Sequence, residues 1–366
     1  MSTPADLRSA LVRHRSLQGV RIQDLDLRPY ENLLLGRDDL EGLVVLGGQV
    51  SHELASHLRL HGALVFPSDS GAPINPYRSS LYQPGDLYQG LSAQGYASTP
   101  DALAYAWSQD ASIARDVFVS LLRAIHDDSM TDALTDFLDG LPVVGVMGGH
   151  ALERGTPDYD AAAHLGHAIA ESGHIVLTGG GPGAMEAANL GAYTGDSARL
   201  EDALRQLAAV PSFRPSIDAW ARLAMEVRTE IREGRLRDGS TGIRSVGIPT
   251  WFYGHEPPNV FCGGIAKYFS NALREDALLA RCDAGLVVLP GAAGTVQEIF
   301  QAVTPLYYAP DDEHVPPLIL VGVEHWTTTV PVWPALRSLA DGRTLATVTH
   351  LVDDVRDVPA LLTDGN

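Results

Sequence analysis

Two glycine-rich segments, each placed between an apolar run and a helix-like run, constrain the fold of this chain more than any other feature. They are residues 178–186 and residues 289–298. A strand that ends in glycines and opens a helix presents unpaired backbone N–H groups and the positive end of the helix dipole, which together hold phosphate groups in α/β proteins. Two such segments in one sheet, the second with a threonine and then a carboxylate, predict a pocket for a phosphorylated small molecule beside an acid.

The sequence around these segments alternates strand-like and helix-like runs. We predict buried parallel strands at 142–149, 174–178, 244–249, 284–289 and 318–322, because each is a short apolar run. Helical spacing of apolar residues predicts helices at 159–172, 184–193, 266–281 and 331–339. Because crossover connections are right-handed, this order predicts an α/β fold with a doubly wound parallel sheet.

Residues 1–140 have a different pattern of apolar and polar runs. Apolar runs at 43–48 and 63–67 flank a helix-like run at 51–60, which predicts a small βαβ element, and further helices are expected at 100–138. The turn sequence Asp139-Gly140-Leu141-Pro142 is a natural boundary. We therefore divide the chain into an N-terminal α/β region of unknown role, 1–140, and a Rossmann-like domain, 141–366, that contains both glycine-rich segments.

A charged helical stretch at about 195–242 interrupts the second region. Its apolar residues recur at helical spacing, so we interpret it as a helical insertion. We expect it to cover the pocket or to form a subunit contact, and the alternative is a surface excursion with neither role.

Composition excludes several classes of protein. The chain of 366 residues has a net charge of −19, so it has no basic stripe for a nucleic acid and a phosphate must be held locally. Its two cysteines flank apolar segments, where buried thiols are usual, and a reducing cytoplasm fits them. No run approaches about 18 apolar residues, and residues 1–17 are polar, so we expect a cytoplasmic protein that is neither secreted nor membrane-bound.

Lys267 is the only lysine of the chain. A Walker-type phosphate loop, which needs a lysine after its glycines, is therefore absent from the sequence. Pyridoxal-phosphate chemistry would depend on Lys267 as its Schiff base, and no partner for the pyridinium accompanies that lysine.

Two histidine patterns suggest metal binding only superficially. His52 and His57 are five residues apart, which turns them about 140° from each other around a helix. His164 and His167 share a helix face, but no carboxylate-rich cluster completes a site there. We expect ordinary surface histidines and no metal.

Arg274 and Glu298 are the candidate catalytic residues. Glu298 follows the second glycine segment, on what we predict to be the first turn of its helix, where the dipole keeps a carboxylate ionised. Arg274 lies on the helix before that strand. An arginine and a carboxylate that converge on a phosphate-sized pocket suit cleavage at a ribose anomeric carbon, where the transition state is oxocarbenium-like. The structural alternatives are a helix-terminal charge for Glu298 and, for Arg274, a solvated charge cluster with Glu275 and Asp276.

These segments resemble the Lonely Guy family of nucleoside 5′-monophosphate phosphoribohydrolases. The resemblance covers roughly residues 141–350, and the segment 255–259 (His-Glu-Pro-Pro-Asn) is similar to the larger bacterial branch, which hydrolyses ordinary nucleotides. The other matching segments are, in chain order, Tyr159, Ala162, Leu165, Gly166, Ala170 and Gly173, then 178–189, then Leu273-Arg274-Glu275, then 290–298.

The resemblance implies a Rossmann-like homodimer that releases a free base and ribose 5-phosphate without a metal or an organic cofactor. The family's catalytic arginine and glutamate correspond to Arg274 and Glu298. The residues that would hold the phosphate and the rest of the nucleotide are Gly148, Gly149, Gly179, Gly180, Gly181, Gly183, Met185, Glu186, Gly291, Gly294 and Thr295.

Two departures from the family pattern bear on the chemistry. Ala292 replaces the second glycine of the family's Pro-Gly-Gly segment, which matters if that position needs a positive φ or a close approach to the ligand. Glu275 replaces the lysine that follows the arginine. Both would suit the alternative function, a non-catalytic protein that binds a nucleotide or a pterin-type cofactor with the same fold.

A homodimer is also expected from the helix at 267–281. Its apolar side chains exceed what one sheet face needs, which predicts a second apolar contact. They are Tyr268, Phe269, Leu273, Ala277 and Leu278.

Overall fold

The computed structural model describes residues 1–68, 71–238, 242, 244–253, 256–310 and 315–363. His255, which belongs to the segment that resembles the larger Lonely Guy branch, lies outside the described residues. The chain divides into two compact units, Met1–Leu81 with Ala106–Thr135, and Tyr82–Tyr105 with Asp136–Asn366. Residues 82–105 of the predicted N-terminal region are thus part of the second unit.

The strands are short and most of the helices span one to five turns. The strands are β1 (Arg21–Gln23), β2 (Val44–Leu46), β3 (Leu64–Val65), β4 (Val143–Met147), β5 (Ile175–Thr178), β6 (Ser245–Gly247), β7 (Gly264–Ile265), β8 (Gly285–Val288), β9 (Leu318–Val321) and β10 (Thr349–Val352). The helices are α1 (Pro4–Val12), α2 (Glu31–Leu35), α3 (His52–Leu60), α4 (Pro84–Leu87), α5 (Leu91–Gln94), α6 (Pro100–Gln109), α7 (Val117–Leu138), α8 (Pro157–Glu171), α9 (Ala184–Thr194), α10 (Ser197–Leu207), α11 (Ile217–Arg237), α12 (Asn271–Leu279), α13 (Ala293–Tyr308), α14 (Trp333–Ala340), α15 (Leu345–Val348) and α16 (Val358–Thr363).

The first unit contains a three-stranded parallel sheet in the order β1-β2-β3. The predicted βαβ element is confirmed, since β2 and β3 pair in parallel and α3 connects them. β1 was not predicted, because Arg21 and Gln23 interrupt its apolar pattern. Leucines from α1, α2 and α3, among them Leu7, Leu34 and Leu54, are fully buried in the core of this unit.

The second unit is a seven-stranded, all-parallel sheet in the order β10-β9-β8-β4-β5-β6-β7. Every residue of β4, β5, β8 and β9 is buried, as expected of strands covered on both faces. This is the predicted Rossmann-like, doubly wound sheet, and all five predicted strands are present. β7 and β10 were not predicted, because β7 has only two residues and β10 is a half-exposed edge strand.

α8 and α9 pack closely enough to require glycine on both helices. A Cβ on Gly166 would lie 2.7 Å from the carbonyl carbon of Ala188, and a Cβ on Gly191 would lie 2.7 Å from the backbone nitrogen of His167. These distances are shorter than van der Waals contact, so neither glycine accepts a side chain unless the helices move apart. The crossing fixes α9, and with it the glycine turn that precedes α9.

α12 begins at Asn271, five residues later than predicted. The Ser270 hydroxyl accepts a hydrogen bond from the backbone N–H of Leu273 and caps the helix there. Tyr268 and Phe269 therefore precede the helix. Of the five apolar residues that predicted a dimer contact, only Leu273, 48% exposed, is open to solvent, and the other four are buried within the chain.

The only lysine of the chain is buried in the second unit. Lys267 Nζ donates to Asp101 Oδ1 at 2.6 Å, and their side chains are 2% and 1% exposed. Trp251 Nε1 donates to the same oxygen at 2.9 Å, and the Tyr96 hydroxyl donates to Oδ2 at 2.8 Å. Burial lowers the pKa of the Lys267 ammonium, and Asp101 opposes that effect. The cluster is a buried ion pair whose carboxylate is fully hydrogen-bonded.

None of the helices in the described ranges is long and apolar enough to cross a bilayer. Both cysteines, Cys262 and Cys282, are free and buried, as the sequence predicted.

Candidate functional site

A cavity of about 810 Å³ lies where the carboxyl ends of β4, β5, β8 and β9 meet. β4 is hydrogen-bonded to β5 on one side and to β8 on the other, so the chain order of the sheet reverses at β4. Ligands of open α/β sheets bind at this kind of reversal, beyond the carboxyl ends of the strands. Both glycine segments border the cavity, as the sequence predicted.

The first glycine turn, residues 179–183, is held by Asn259. The Asn259 side chain donates to the Gly181 carbonyl at 3.1 Å, and its backbone N–H donates to the Gly180 carbonyl at 2.8 Å. Gly180 and Gly183 have φ of +70° and +75°, which favours glycine at both positions. With its carbonyls bound to Asn259, the turn leads directly into α9, whose first-turn N–H groups lack partners within the helix.

The second glycine turn, residues 290–294, precedes α13. The His325 ring nitrogen Nε2 lies 3.0 Å from the Gly291 carbonyl oxygen. The Thr295 side chain, 6% exposed, fills the space where Gly291 would carry a Cβ. Ala292 has φ −114° and ψ −151°, an extended conformation that any residue adopts. The replacement of the family's glycine by Ala292 therefore introduces no backbone strain.

Arg274 and Glu298 form an ion pair in the cavity wall. Arg274 Nη1 donates to Glu298 Oε1 at 3.0 Å, and the side chains are 10% and 12% exposed. Arg274 Nε is buried and has no acceptor among the described residues. A buried guanidinium N–H without an acceptor is costly, and the Arg274 side chain also lines the cavity.

Glu298 lies in the second turn of its helix, not in the first. α13 begins at Ala293, which makes Glu298 the sixth residue, and no acidic residue occupies the first turn. The prediction that the helix dipole keeps this carboxylate ionised is therefore wrong. Burial raises the pKa of Glu298 above its ordinary value of 4.5, Arg274 opposes this rise, and the charges of Glu275 and Glu256 add to it. Such a carboxylate is better suited to accept a proton than one at a helix N-terminus.

Glu275 is a buried brace between α12 and α13. Its side chain accepts from Asn271 Nδ2 at 2.7 Å and from Gln297 Nε2 at 2.6 Å. Arg274 and Glu275 are only 8% and 4% exposed, so the alternative of a solvated charge cluster is wrong for both. Glu275 does not line the cavity, and it acts by holding together the two helices that carry Arg274 and Glu298.

The structure brings most of the predicted site residues together around the cavity. Gly180, Gly183 and Glu186 do not line it, and Glu186 instead forms a buried ion pair with Arg154, with Nη2 and Oε1 2.5 Å apart. The predicted residues that line the cavity are Gly148, Gly149, Gly179, Gly181, Met185, Arg274, Gly291, Gly294, Thr295 and Glu298.

Two further expectations are settled by what lines the cavity. No described residue of α10 or α11 lines it, so the expectation that this stretch covers the pocket is wrong. Lys267 does not line it either, and its Nζ is held by Asp101, which excludes it as a Schiff-base residue in this cavity.

Among the residues at or next to the cavity that were missing from the predicted site, five bear on the chemistry proposed below. His150, Tyr253, Glu256 and His325 line it, and Asn259 anchors the first glycine turn. Asn259 and Glu256 belong to the segment 255–259, whose resemblance to the larger Lonely Guy branch was the signal that could have found them. Nothing in the local sequence of the other three distinguishes them from surface residues.

In the described part of the chain, no group of three or more histidine, cysteine or acidic side chains is arranged to hold a metal ion. One histidine of each pair considered above has another partner, and His167, 6% exposed, is buried, so the expectation of a surface histidine is wrong for His167. His57 Nε2 lies 2.9 Å from the Arg37 carbonyl oxygen, and His164 Nε2 lies 3.1 Å from Glu201 Oε1.

Comparison with known proteins shows what this chain is similar to. No curated protein sequence matches the chain. A molybdenum cofactor binding protein from Rippkaea orientalis is 18% identical, with 62% of this chain and 98% of that chain covered and a TM-score of 0.37. The molybdenum cofactor carrier protein of Chlamydomonas reinhardtii is 18% identical with the same coverage and a TM-score of 0.34. Residues 141–199, which contain β4, α8, β5 and the first glycine turn, match the SLOG cluster4 family, and this confirms the predicted resemblance at the level of the superfamily that holds the Lonely Guy proteins.

Proposed function

We propose that this chain hydrolyses the N-glycosidic bond of nucleoside 5′-monophosphates and releases a free base and ribose 5-phosphate. The observation that carries the proposal is the Arg274–Glu298 ion pair, 3.0 Å from nitrogen to oxygen, in the wall of the cavity that both glycine turns border. A phosphate at the glycine turns and a ribose between them and the ion pair would place the anomeric carbon beside a carboxylate.

Each partner of the ion pair has one role in this reaction. Glu298, with its raised pKa, orients the attacking water and takes its proton, while its charge stabilises the oxocarbenium-like ribose. Arg274 is a permanent cation that lines the cavity, so its role is electrostatic. The two glycine turns hold the 5′-phosphate through backbone N–H groups, which agrees with the absence of a basic patch from the sequence.

The direct test is incubation of the purified protein with a panel of nucleoside monophosphates, followed by chromatography for free base. Release of one or more bases at the expense of the nucleotide supports the proposal. Tight nucleotide binding without base release would contradict it and favour the non-catalytic alternative, a nucleotide or pterin-cofactor binding protein.

The 5′-phosphate is expected to contribute to the rate as well as to binding. Loss of two charge-assisted hydrogen bonds at the glycine turns, at about 1.5 kcal/mol each, amounts to about 3 kcal/mol. Because remote binding energy supports the transition state, adenosine is expected to have a kcat/KM about 10²-fold below that of AMP. Equal values for the two substrates would remove the phosphate role of the turns.

A homodimer remains a prediction from the family resemblance. Leu273 of α12, 48% exposed, and Tyr308 at the end of α13, 77% exposed, are apolar side chains available for a subunit contact. Light scattering at micromolar concentration is expected to give twice the 39.1 kDa mass of the chain. A single-chain mass at that concentration would contradict the dimer.

A further inference from the structure

The proposed hydrolysis, on which this inference rests, leaves one proton unassigned. When the bond between the anomeric carbon and the base nitrogen breaks, its electron pair passes to the base, which leaves most readily if an acid protonates it. Glu298 takes a proton from water in the same step, and Arg274 does not release its proton at neutral pH. A second proton donor is therefore required on the side of the cavity where the base departs.

A histidine and a carboxylate form a second pair of side chains in the wall of the same cavity. His150 Nδ1 lies 3.2 Å from Glu256 Oε1, and the side chains are 45% and 33% exposed. His150 follows the glycines at the end of β4, and Glu256 precedes Asn259, the residue that anchors the first glycine turn. Since Nδ1 faces Glu256, Nε2 is the ring nitrogen available to a bound base.

The two pairs lie beside different residues of the first glycine turn. A Cβ on Gly179 would be 3.7 Å from Arg274 Nη1, whereas a Cβ on Gly181 would be 3.5 Å from Glu256 Oε2. Because both pairs also line the cavity, one ligand that borders this turn can contact both of them.

The remaining histidine of the cavity is already engaged. His325 Nε2 lies 3.0 Å from the Gly291 carbonyl oxygen, so this ring supports the second glycine turn. His150 is the cavity histidine that has a carboxylate beside one ring nitrogen, and such a partner orients the imidazole.

We propose that His150 is the general acid that protonates the departing base and that Glu256 is a positioning residue for its imidazolium. The bond between the anomeric carbon and the base nitrogen breaks, its electron pair goes to the base, and the proton on His150 Nε2 moves to a base nitrogen. The water oxygen bonds to the anomeric carbon and gives one proton to Glu298. One water is consumed, and solvent returns the proton from Glu298 to His150.

The test compares substrates that need an acid with substrates that do not. A purine nucleotide that the parent cleaves is paired with its N7-methyl derivative, whose base carries a positive charge and departs without protonation. His150→Asn is expected to lower kcat/KM for the ordinary nucleotide about 10²-fold or more, the usual effect of a general acid, and to leave the methylated substrate within about threefold of the parent. Glu256→Gln is expected to show the same pattern on a smaller scale: kcat/KM falls about tenfold for the ordinary nucleotide and stays within about threefold of the parent for the methylated one.

Matched controls separate this role from structural damage. The surface pair His164–Glu201, 3.1 Å apart and 47% and 59% exposed, resembles the proposed pair but lies outside the cavity, so Glu201→Gln is expected to change neither substrate. In His150→Ala, added imidazole is expected to restore cleavage of the ordinary nucleotide. This rescue decides the case if the methylated nucleotide is a poor substrate for the parent.

Two results would overturn the inference while the proposed function stands. The first is an equal loss of kcat/KM on both substrates in His150→Asn, together with no imidazole rescue of His150→Ala. The second is a parental rate of His150→Asn on the ordinary nucleotide. Failure of the parent to release base from any nucleotide would instead overturn the proposed function itself.

Discussion

Glu298→Gln is expected to lose nearly all base release while it still binds nucleotide. Glutamine keeps the size of the side chain and an oxygen that accepts from Arg274, but it removes the charge and the proton acceptor. Loss of one such transition-state contact typically costs on the order of 10² to 10³ in rate. We expect AMP affinity within about tenfold of the parent, a 1.4 kcal/mol allowance, and measure kcat by chromatography of the free base.

Asp276→Asn provides the control for this substitution. Asp276 also joins α12 to α13, through Gln301 Nε2 at 2.7 Å, but it does not line the cavity. The substitution removes one negative charge from the same pair of helices and is expected to leave the rate of base release unchanged. A parental rate in Glu298→Gln would show that the active site, and with it the hydrolase proposal, is assigned wrongly.

Arg274→Ala and the pH profile extend the same test. Removing Arg274 leaves Glu298 buried without its cation, so a rate loss of the same order is expected. Because burial raises the pKa of Glu298 and the reaction needs its ionised form, kcat/KM of the parent is expected to fall on acidification at a pH above 4.5. This acidic limb should be absent from the residual activity of Glu298→Gln.

Lys267→Met is expected to destabilise the folded chain by about 3 to 5 kcal/mol. The substitution leaves Asp101 as a buried carboxylate without its cation, and breaking a buried pair by removing one partner has a cost of this size. The free energy of unfolding is measured by urea denaturation. Because Lys267 does not line the cavity, base release by the variant that remains folded is expected at the parental rate.

The double variant Lys267→Met with Asp101→Asn isolates the electrostatic cause. Asparagine can still accept from Trp251 Nε1 but carries no charge, so about half of the lost stability is expected to return. A double variant less stable than Lys267→Met would assign the loss to packing instead. Loss of base release from a folded Lys267→Met variant would contradict the purely structural role of Lys267.

Local sequence determined the parts of the fold that were predicted correctly. The five predicted strands are apolar runs that end in glycine, proline or a small residue, and such signals lie within a few neighbouring positions. The glycine turns were predicted for the same reason. The edge strands β7 and β10 were not, because two residues in one case and a mixed polar pattern in the other carry too little periodicity.

Side-chain partners across the sheet could not be predicted from the sequence. Arg274 and Glu298 are 24 positions apart, and only the family resemblance predicted that they share a site. Lys267 and Asp101 are 166 positions apart, and no local pattern predicted their contact. The error about Glu298 arose from a helix start misplaced by a few residues, which changed a first-turn charge into a buried second-turn carboxylate. The burial of Arg274 and Glu275 likewise depends on α13, which the sequence of α12 does not reveal.

The central position of β4 has a consequence for folding while the chain is synthesised on the ribosome. β4 pairs with β8, and the Val143 backbone donates to an Asp283 side chain 140 residues later. At about 5 to 20 residues per second, synthesis of that interval takes roughly 7 to 28 s. During this time one edge of an apolar strand has no neighbour, and parallel pairings of such long range form slowly. The nascent chain is therefore a natural client for chaperones that shield unpaired strands, and concentrated refolding from denaturant favours aggregation over recovery.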